Sequence, residues 1–350
     1  MSGTDILLSL IAPVACGLLL DRLRVPAGMM IGALLGASVY GMAFGRVMLP
    51  GEFKTVAQII AGAYIGATVT RNEAKQMRFV IKPAITVIIG LMLINLIAGT
   101  LITFSSDLSP LTAMLGAMPG GMSEMPMIAA DMGGDPVVVM IMQFARFLMG
   151  IALFPMLIKR LIPHEGQTET VTGARATAGT AVPKHNLLPT VLTLGVAVVC
   201  GLIGKWLDVP AGTMALAMLG TMIFKLLYEP AVVPSSIRKV AQCLSGAYVG
   251  VGIGLAELAT FGRLALPIFI LIASYSVGCY AIGRMLHRCC SFTMREAMLG
   301  ATPAGASDMA LISADLGVHS MRVMVLQVIR LITVITLFPS IFSFFSKLLS

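Results

Sequence analysis

A helix-breaking motif that ends in an acid occurs twice in a chain with little polar surface. Gly116-Ala117-Met118-Pro119-Gly120-Gly121-Met122-Ser123-Glu124-Met125 returns, at an offset of 184 residues (116 to 300), as Gly300-Ala301-Thr302-Pro303-Ala304-Gly305-Ala306-Ser307-Asp308-Met309. The same offset carries Val25-Pro26-Ala27-Gly28 onto Val209-Pro210-Ala211-Gly212, Gln58 onto Gln242 and Tyr64 onto Tyr248. It also carries Asp131 onto Asp315, Gln143 onto Gln327, Arg146 onto Arg330 and Phe154-Pro155 onto Phe338-Pro339. Two copies of one unit, each with glycine, proline and acid at its centre, is the layout expected of a membrane transporter.

Of 350 residues, 57 % are hydrophobic and 11 % charged, and the mean hydropathy is +0.94. A soluble domain is about one quarter charged. The runs Ile81 to Phe104, Val137 to Ile158, Leu187 to Ile203 and Leu264 to Ile282 approach the ~20 residues that cross a bilayer. Ile6 to Leu20 lacks a basic start and has a counterpart at Leu192 to Leu202, so it is expected to be a retained first helix rather than a signal peptide. The net charge of +8 is spread over loops with no long basic run or aromatic platform, which argues against direct nucleic acid binding. Cys16, Cys200, Cys243 and Cys279 stand singly in apolar segments, and Cys289-Cys290 share no ligand spacing with the four histidines, so no metal site is expected.

The first half predicts helices over about 5–20, 26–44, 54–70 and 79–104, a Gly/Pro-rich stretch over 109–132 and a last helix over 136–159. Pro26 suits a first helical turn, where a missing N–H has no partner to lose. Gly62 and Gly66 form a G-x-x-x-G that permits close packing. The expected domains are a first membrane repeat over 1–160, a cytoplasmic linker over 161–187 and a second repeat over 188–350.

Loop charge predicts orientation. Arg71, Lys75, Arg78 and Lys82 with Glu73 leave +3 after the third helix, whereas the counterpart 255–266 holds Glu257 and Arg263 and sums to zero. After the fourth helix the bias reverses: 105–110 hold only Asp107, while Arg284, Arg288 and Arg295 crowd the matching loop. Under the positive-inside rule this places equivalent loops on opposite faces. Inversion needs an odd number of crossings per half, which six segments satisfy if 109–132 and 293–316 are re-entrant. The expected fold is therefore all-α and polytopic: two inverted repeats of five transmembrane helices, each with one Gly/Pro-broken re-entrant segment. Six parallel crossings per half is the alternative, and it leaves one basic cluster outside.

Broken backbone at bilayer depth leaves N–H and C=O groups that protein, water or ligand must satisfy. Gly120, Gly121, Ala304 and Gly305 are candidate binding residues on this ground, since free N–H groups at a helix start attract anions. Ser123 and Ser307 follow each break and either cap the next helix or line a site, with Glu124 and Asp308 in its first turn. Asp131 and Asp315 read as loop exits. Arg146 and Arg330 lie mid-helix, where burial costs ~2.5 kcal/mol or more without a partner or a wet cavity. Gln143 and Gln327 share their helical face. Each arginine is expected either to pair with a loop acid or to receive a substrate anion. Gln58 and Gln242 are second-rank lining candidates. Burial would tune Glu124, Asp308, Asp131 or Asp315 for H+ coupling, and Na+ would use the same oxygens together with loop carbonyls. No Walker loop, nucleophile–base pair or cofactor motif is present, so the expectation is no enzyme and no cofactor.

The repeated Gly-Ala-x-Pro-x-Gly-x-Ser-Asp/Glu-Met, followed by Ala-x-x-Gly and Gln-x-x-Arg, resembles the AbrB family of Gram-negative integral membrane proteins with a duplicated AbrB region. The resemblance spans essentially the whole chain and implies a multi-pass protein of the cell inner membrane. That family has been labelled both a regulator and an ammonia monooxygenase. Its plan is similar to inverted-repeat transporters of the bile-acid-symporter and cation-antiporter kind, which implies a mobile core around the breaks and a scaffold, often a homodimer, around the Val-Pro-Ala-Gly helices. A monooxygenase needs a copper or iron site that four scattered histidines do not offer. The expected function is ion-gradient-driven transport of a small organic solute, anionic solutes included. The alternative is a membrane sensor that affects gene expression through a partner.

Overall fold

A computed structural model describes residues 3–23, 27–44, 49–77, 80–150, 187–208, 211–251, 261–303 and 320–349, with the single residues 25, 154, 156, 158, 253 and 318 between them. Every regular element among these is helical. The first half holds α1 (Gly3–Arg22), α2 (Gly28–Phe44), α3 (Gly51–Thr68), α4 (Arg71–Met77), α5 (Ile81–Ser105), α6 (Pro110–Ala117), α7 (Glu124–Met132) and α8 (Pro136–Leu148). The second holds α9 (Leu187–Trp206), α10 (Gly212–Leu227), α11 (Ser235–Gly250), α12 (Ala265–Cys289), α13 (Met294–Ala301), α14 (Met321–Thr336) and α15 (Phe338–Leu349). The sequence offset holds in the fold: α1, α5 and α6 shifted by 184 fall residue for residue on α9, α12 and α13. Ala27 and Ala211, also equivalent, share a left-handed backbone with φ of 52° and 57°. Pro26, Pro210, Pro155 and the expected linker 161–187, bar its last residue Leu187, lie outside the described residues.

Among the described residues, three helical stretches are long and apolar enough to cross a bilayer: Ile81–Ser105, Leu187–Trp206 and Gly262–Cys289. Ile81, Ile85, Ile89, Leu93, Ile97 and Leu101 form an exposed stripe at four-residue spacing on α5. Bare apolar surface of that extent is not left to water, so this is a membrane protein. The expected run from Val137 to Ile158 is not one uniform helix: α8 ends at Leu148, and the hydrogen bonding widens to a π turn at 149–150. The expected last helix of the second half also divides, at Leu337, where Pro339 brings no N–H to the ladder.

Two sets of helices emerge from the packing. Helices α1–α3 interlock with α9–α11, and α5–α8 pack with α12–α15. Glycine seams fix relative directions. Gly62 sits on Met214 and Gly66 on Met218, so α3 and α10 run parallel. Gly246 sits on Met30 and Gly250 on Leu34, so α11 runs parallel to α2. Gly90 meets Ile282 and Gly278 meets Ile94, so the equivalent helices α5 and α12 run antiparallel. The two sets touch where α3 and α11 meet α7 and where α10 meets α14.

Candidate functional site

The first broken segment is a hairpin of two short helices. Ser109 caps α6 by accepting from the Thr112 N–H at 3.3 Å, and Pro110 takes the first turn. The helix stops at Ala117, six residues run irregularly, and α7 returns. Gly133, at φ 82°, ends α7, a left-handed position that glycine adopts without strain. Asp135 then caps α8, and its own N–H donates to Thr112 Oγ1 at 3.0 Å, so the hairpin closes at its base. Within the turn, a side chain at Gly120 would strike Met125 and one at Gly121 would strike the Glu124 carboxylate, so both glycines allow the turn to fold tightly.

A helix that stops inside the protein leaves its last carbonyls without donors. Here they are satisfied one by one. Gln143 Nε2 donates to Leu115 O at 3.3 Å, Gly116 O at 3.2 Å and Met118 O at 2.8 Å. The Tyr275 hydroxyl, from the other half, donates to Ala117 O at 2.7 Å. Arg146 donates to Gln143 Oε1 at 2.6 Å, to Gly120 O in its own half and to Pro303 O in the other. The second half repeats the pattern: Gln327 reaches Leu299 O and Thr302 O, Arg330 reaches Thr302 O at 2.7 Å, and Cys279 Sγ lies 3.4 Å from Ala301 O. All four Gln and Arg side chains are buried. A cation at a helix C-terminus also meets the negative end of its dipole.

Arg146 therefore takes a partner that neither sequence expectation named. Among the described residues its contacts are backbone carbonyls and Gln143, not a carboxylate. Ser123 occupies the N-cap position of α7 but makes no side-chain cap bond; instead its carbonyl accepts from the Ser245 hydroxyl at 3.1 Å. Its φ of −81° and ψ of −28° are already helical, which explains the missing cap. Glu124 is partly buried in the first turn and feels the charge of Arg238. Gln58, 1 % exposed, donates to Asp131, and Lys54 pairs with the same carboxylate at 2.5 Å. Gln242 is half-buried on α11. Ala304, Gly305, Ser307, Asp308 and Asp315 lie outside the described residues.

Two further pairs relate the halves. The Arg238 guanidinium lies 4.8 Å from the Tyr64 ring centre, and Lys54 lies 5.6 Å from that of Tyr248. Shifting either pair by the repeat offset gives the other. Sequence reasoning missed Tyr275 and Lys54; a hydroxyl-bearing tyrosine in the middle of an apolar run was the available signal for the first. No group of three His, Cys, Asp or Glu among the described residues is placed to hold a metal.

The family model described as "Transition state regulatory protein AbrB" matches twice, over residues 1–162 and 161–346. The chain belongs to the AbrB family. The AbrB duplication thus coincides with the repeat seen in the helices. One relative, "Putative regulator AbrB" of Escherichia coli (strain K12), is 26 % identical over 337 residues, covering 92 % of this chain and 91 % of its own. Another, "Uncharacterized protein YhjN" of Bacillus subtilis (strain 168), is 24 % identical over 345 residues, covering 93 % of this chain and 89 % of its own.

Proposed function

We propose that this AbrB-family chain is an ion-gradient-driven secondary transporter of a small organic solute, multi-pass in the cell inner membrane and built from two inverted repeats. The observation that carries the reading is the meeting of the two breaks: one buried guanidinium, Arg146, holds Gly120 O and Pro303 O together. Eight residues of α6 rise about 12 Å, less than half of a hydrocarbon core of about 30 Å, so a hairpin of that depth turns near the midplane. Inversion is supported by direction. The equivalent α5 and α12 are antiparallel, and α2 and α3 run parallel to α11 and α10 rather than to their own equivalents. The end where α5 starts and α12 finishes then gathers Lys82, Arg284 and Arg288, as a cytoplasmic face requires.

Transport would proceed by movement of the set α5–α8 with α12–α15 against α1–α3 with α9–α11, the second set also offering the surface for a homodimer. Glu124 and Asp308, in the first turns after the breaks, are the groups placed to couple H+ or Na+. Nothing in this scheme calls for a cofactor, a catalytic step or direct contact with nucleic acid. The test is solute exchange by proteoliposomes under imposed H+ or Na+ gradients, across organic anions and amino acids. Uptake that follows a gradient supports transport. The regulator names of the family and of its Escherichia coli relative favour a second reading, a membrane sensor acting through a partner. Absence of uptake across the panel, with solute-dependent changes in gene expression, would support the sensor.

A further inference from the structure

A cavity of about 410 Å³ opens at the base of the first hairpin, away from Arg146, between the start of α3, the end of α7 and the α9–α10 junction. That volume is within the range of small-molecule sites, roughly 300–1,000 Å³. Its polar lining is Lys54, Thr55, Gln58, Asp131, Lys205 and Thr213, with Glu52 and Asp208 beside them.

Two features make it more than a solvated cleft. Asp131 stands in the last turn of α7, the end where a helix dipole repels an acid. It is held there by Lys54 and Gln58 of α3, a polar latch between the broken hairpin and the neighbouring set of helices. Lys205, by contrast, has no carboxylate partner among the described residues, and its ammonium meets the Thr55 hydroxyl at 3.1 Å. Gly212 and Thr213 complete the wall at the start of α10, whose cap Ala211 offers no side-chain acceptor.

The charges select the occupant. Lys54 and Lys205 face Glu52, Asp131 and Asp208. A simple anion would meet three carboxylates and a simple cation two ammonium groups, whereas a molecule carrying both charges finds a partner for each. We propose that this cavity binds a zwitterion with an acidic oxyanion and an ammonium group close together, the chemistry shared by free α-amino acids and aminophospholipid headgroups. The oxyanion docks on Lys205 and Thr55, and the ammonium on Asp131. The bound ammonium competes with Lys54 for Asp131 and so loosens the latch. Its role as the place where solute is gathered for carriage rests on the transport reading above; the binding does not. Trp206, adjacent to Lys205 and 84 % exposed, marks this level as a bilayer interface, within reach of both sources.

The test uses the full chain in phosphatidylcholine nanodiscs. A ligand that binds the folded state raises the unfolding midpoint in proportion to its occupancy. Each L-amino acid is added singly, beside its deaminated and decarboxylated analogues, and a second set of discs contains phosphatidylethanolamine. The expected result is a concentration-dependent rise with at least one amino acid, absent with both analogues and at least tenfold weaker in Lys205→Gln. That variant removes one hydroxyl contact at an exposed position, so folding is retained; Asp131→Asn should weaken the same response. Stabilisation by phosphatidylethanolamine alone, lost in Lys205→Gln, supports the same chemistry from the lipid. No response to either source, or an equal response to an analogue, overturns the proposal. Binding without gradient-driven uptake keeps this site and sinks transport. Uptake of a solute with one kind of charge, unaffected by Lys205→Gln and without zwitterion binding, does the reverse.

Discussion

Arg146 is a strut between two broken backbones, and its removal has a definite cost. Arg146→Gln leaves Gly120 O and Pro303 O without their donor at a buried site. Each stranded group costs about 1–3 kcal/mol. The detergent-solubilised variant should melt well below the parent and lose uptake. Arg146→Lys keeps the charge but replaces a planar fork by a point donor, so its melting should fall between the two. Tyr275→Phe removes one bond to Ala117 O and should cost about 0.5–1.5 kcal/mol. Unchanged melting of Arg146→Gln would remove the strut. Capping gives a sharper contrast. Asp135→Ala loses two N-cap bonds and should destabilise by about 1 kcal/mol, whereas Ser123→Ala, with no cap bond to lose, should stay within about 0.5 kcal/mol by thermal melting. The pairing of Gln143 with Arg146 was legible from their spacing. The partners were not, because backbone carbonyls carry no residue signature and one comes from the other half of the chain.

At the scale of elements, the seams are made by particular glycines rather than by glycine content. A methyl at Gly66 would fall on the Met218 carbonyl and the Met222 N–H, both backbone, so α3 and α10 must separate to admit it. Gly66→Ala should therefore destabilise by about 1–3 kcal/mol. Gly41, inside α2 with open space around it, is the control: Gly41→Ala should be neutral or stabilising by up to about 1 kcal/mol. Equal melting shifts for the two would contradict the seam. The G-x-x-x-G spacing announced this contact in the sequence, and glycine and proline announced the break after Ala117. Hydropathy could not announce the ends of α8 and α14, because apolar residues continue through 149–158 and past Leu337. Those interruptions come from hydrogen-bond register and from Pro339, on which side-chain polarity is silent. Asp131 was ranked below the other acids for a related reason. In sequence it reads as an exit before glycine, and only folding brings Lys54 and Gln58 against it.

For the whole molecule, the duplication was plain in the sequence, while the relative direction of the halves rested on loop charge alone. The packing of α5 on α12 gives that direction a test independent of charge. In a background with the six native cysteines replaced, Ile94→Cys with Gly278→Cys and Gly90→Cys with Ile282→Cys should cross-link within one chain, because each glycine Cβ would touch its partner's side chain. The pairing of 94 with 282 should not, since 282 lies about one turn, ~6 Å along the helix at 1.5 Å per residue, from 278, the position that 94 meets. Accessibility then fixes the membrane faces. Asp107 follows the end of α5, and Ser291 follows the end of α12. If the halves are inverted, Asp107→Cys labels with an impermeant maleimide from outside intact spheroplasts, while Ser291→Cys and Lys75→Cys label only after permeabilisation. Labelling of Asp107→Cys and Ser291→Cys from one face would mean that equivalent helices cross in the same direction. The breaks at Met118 and Pro303 would then enter from the same side, and a binding centre with access from both faces would lose its physical basis.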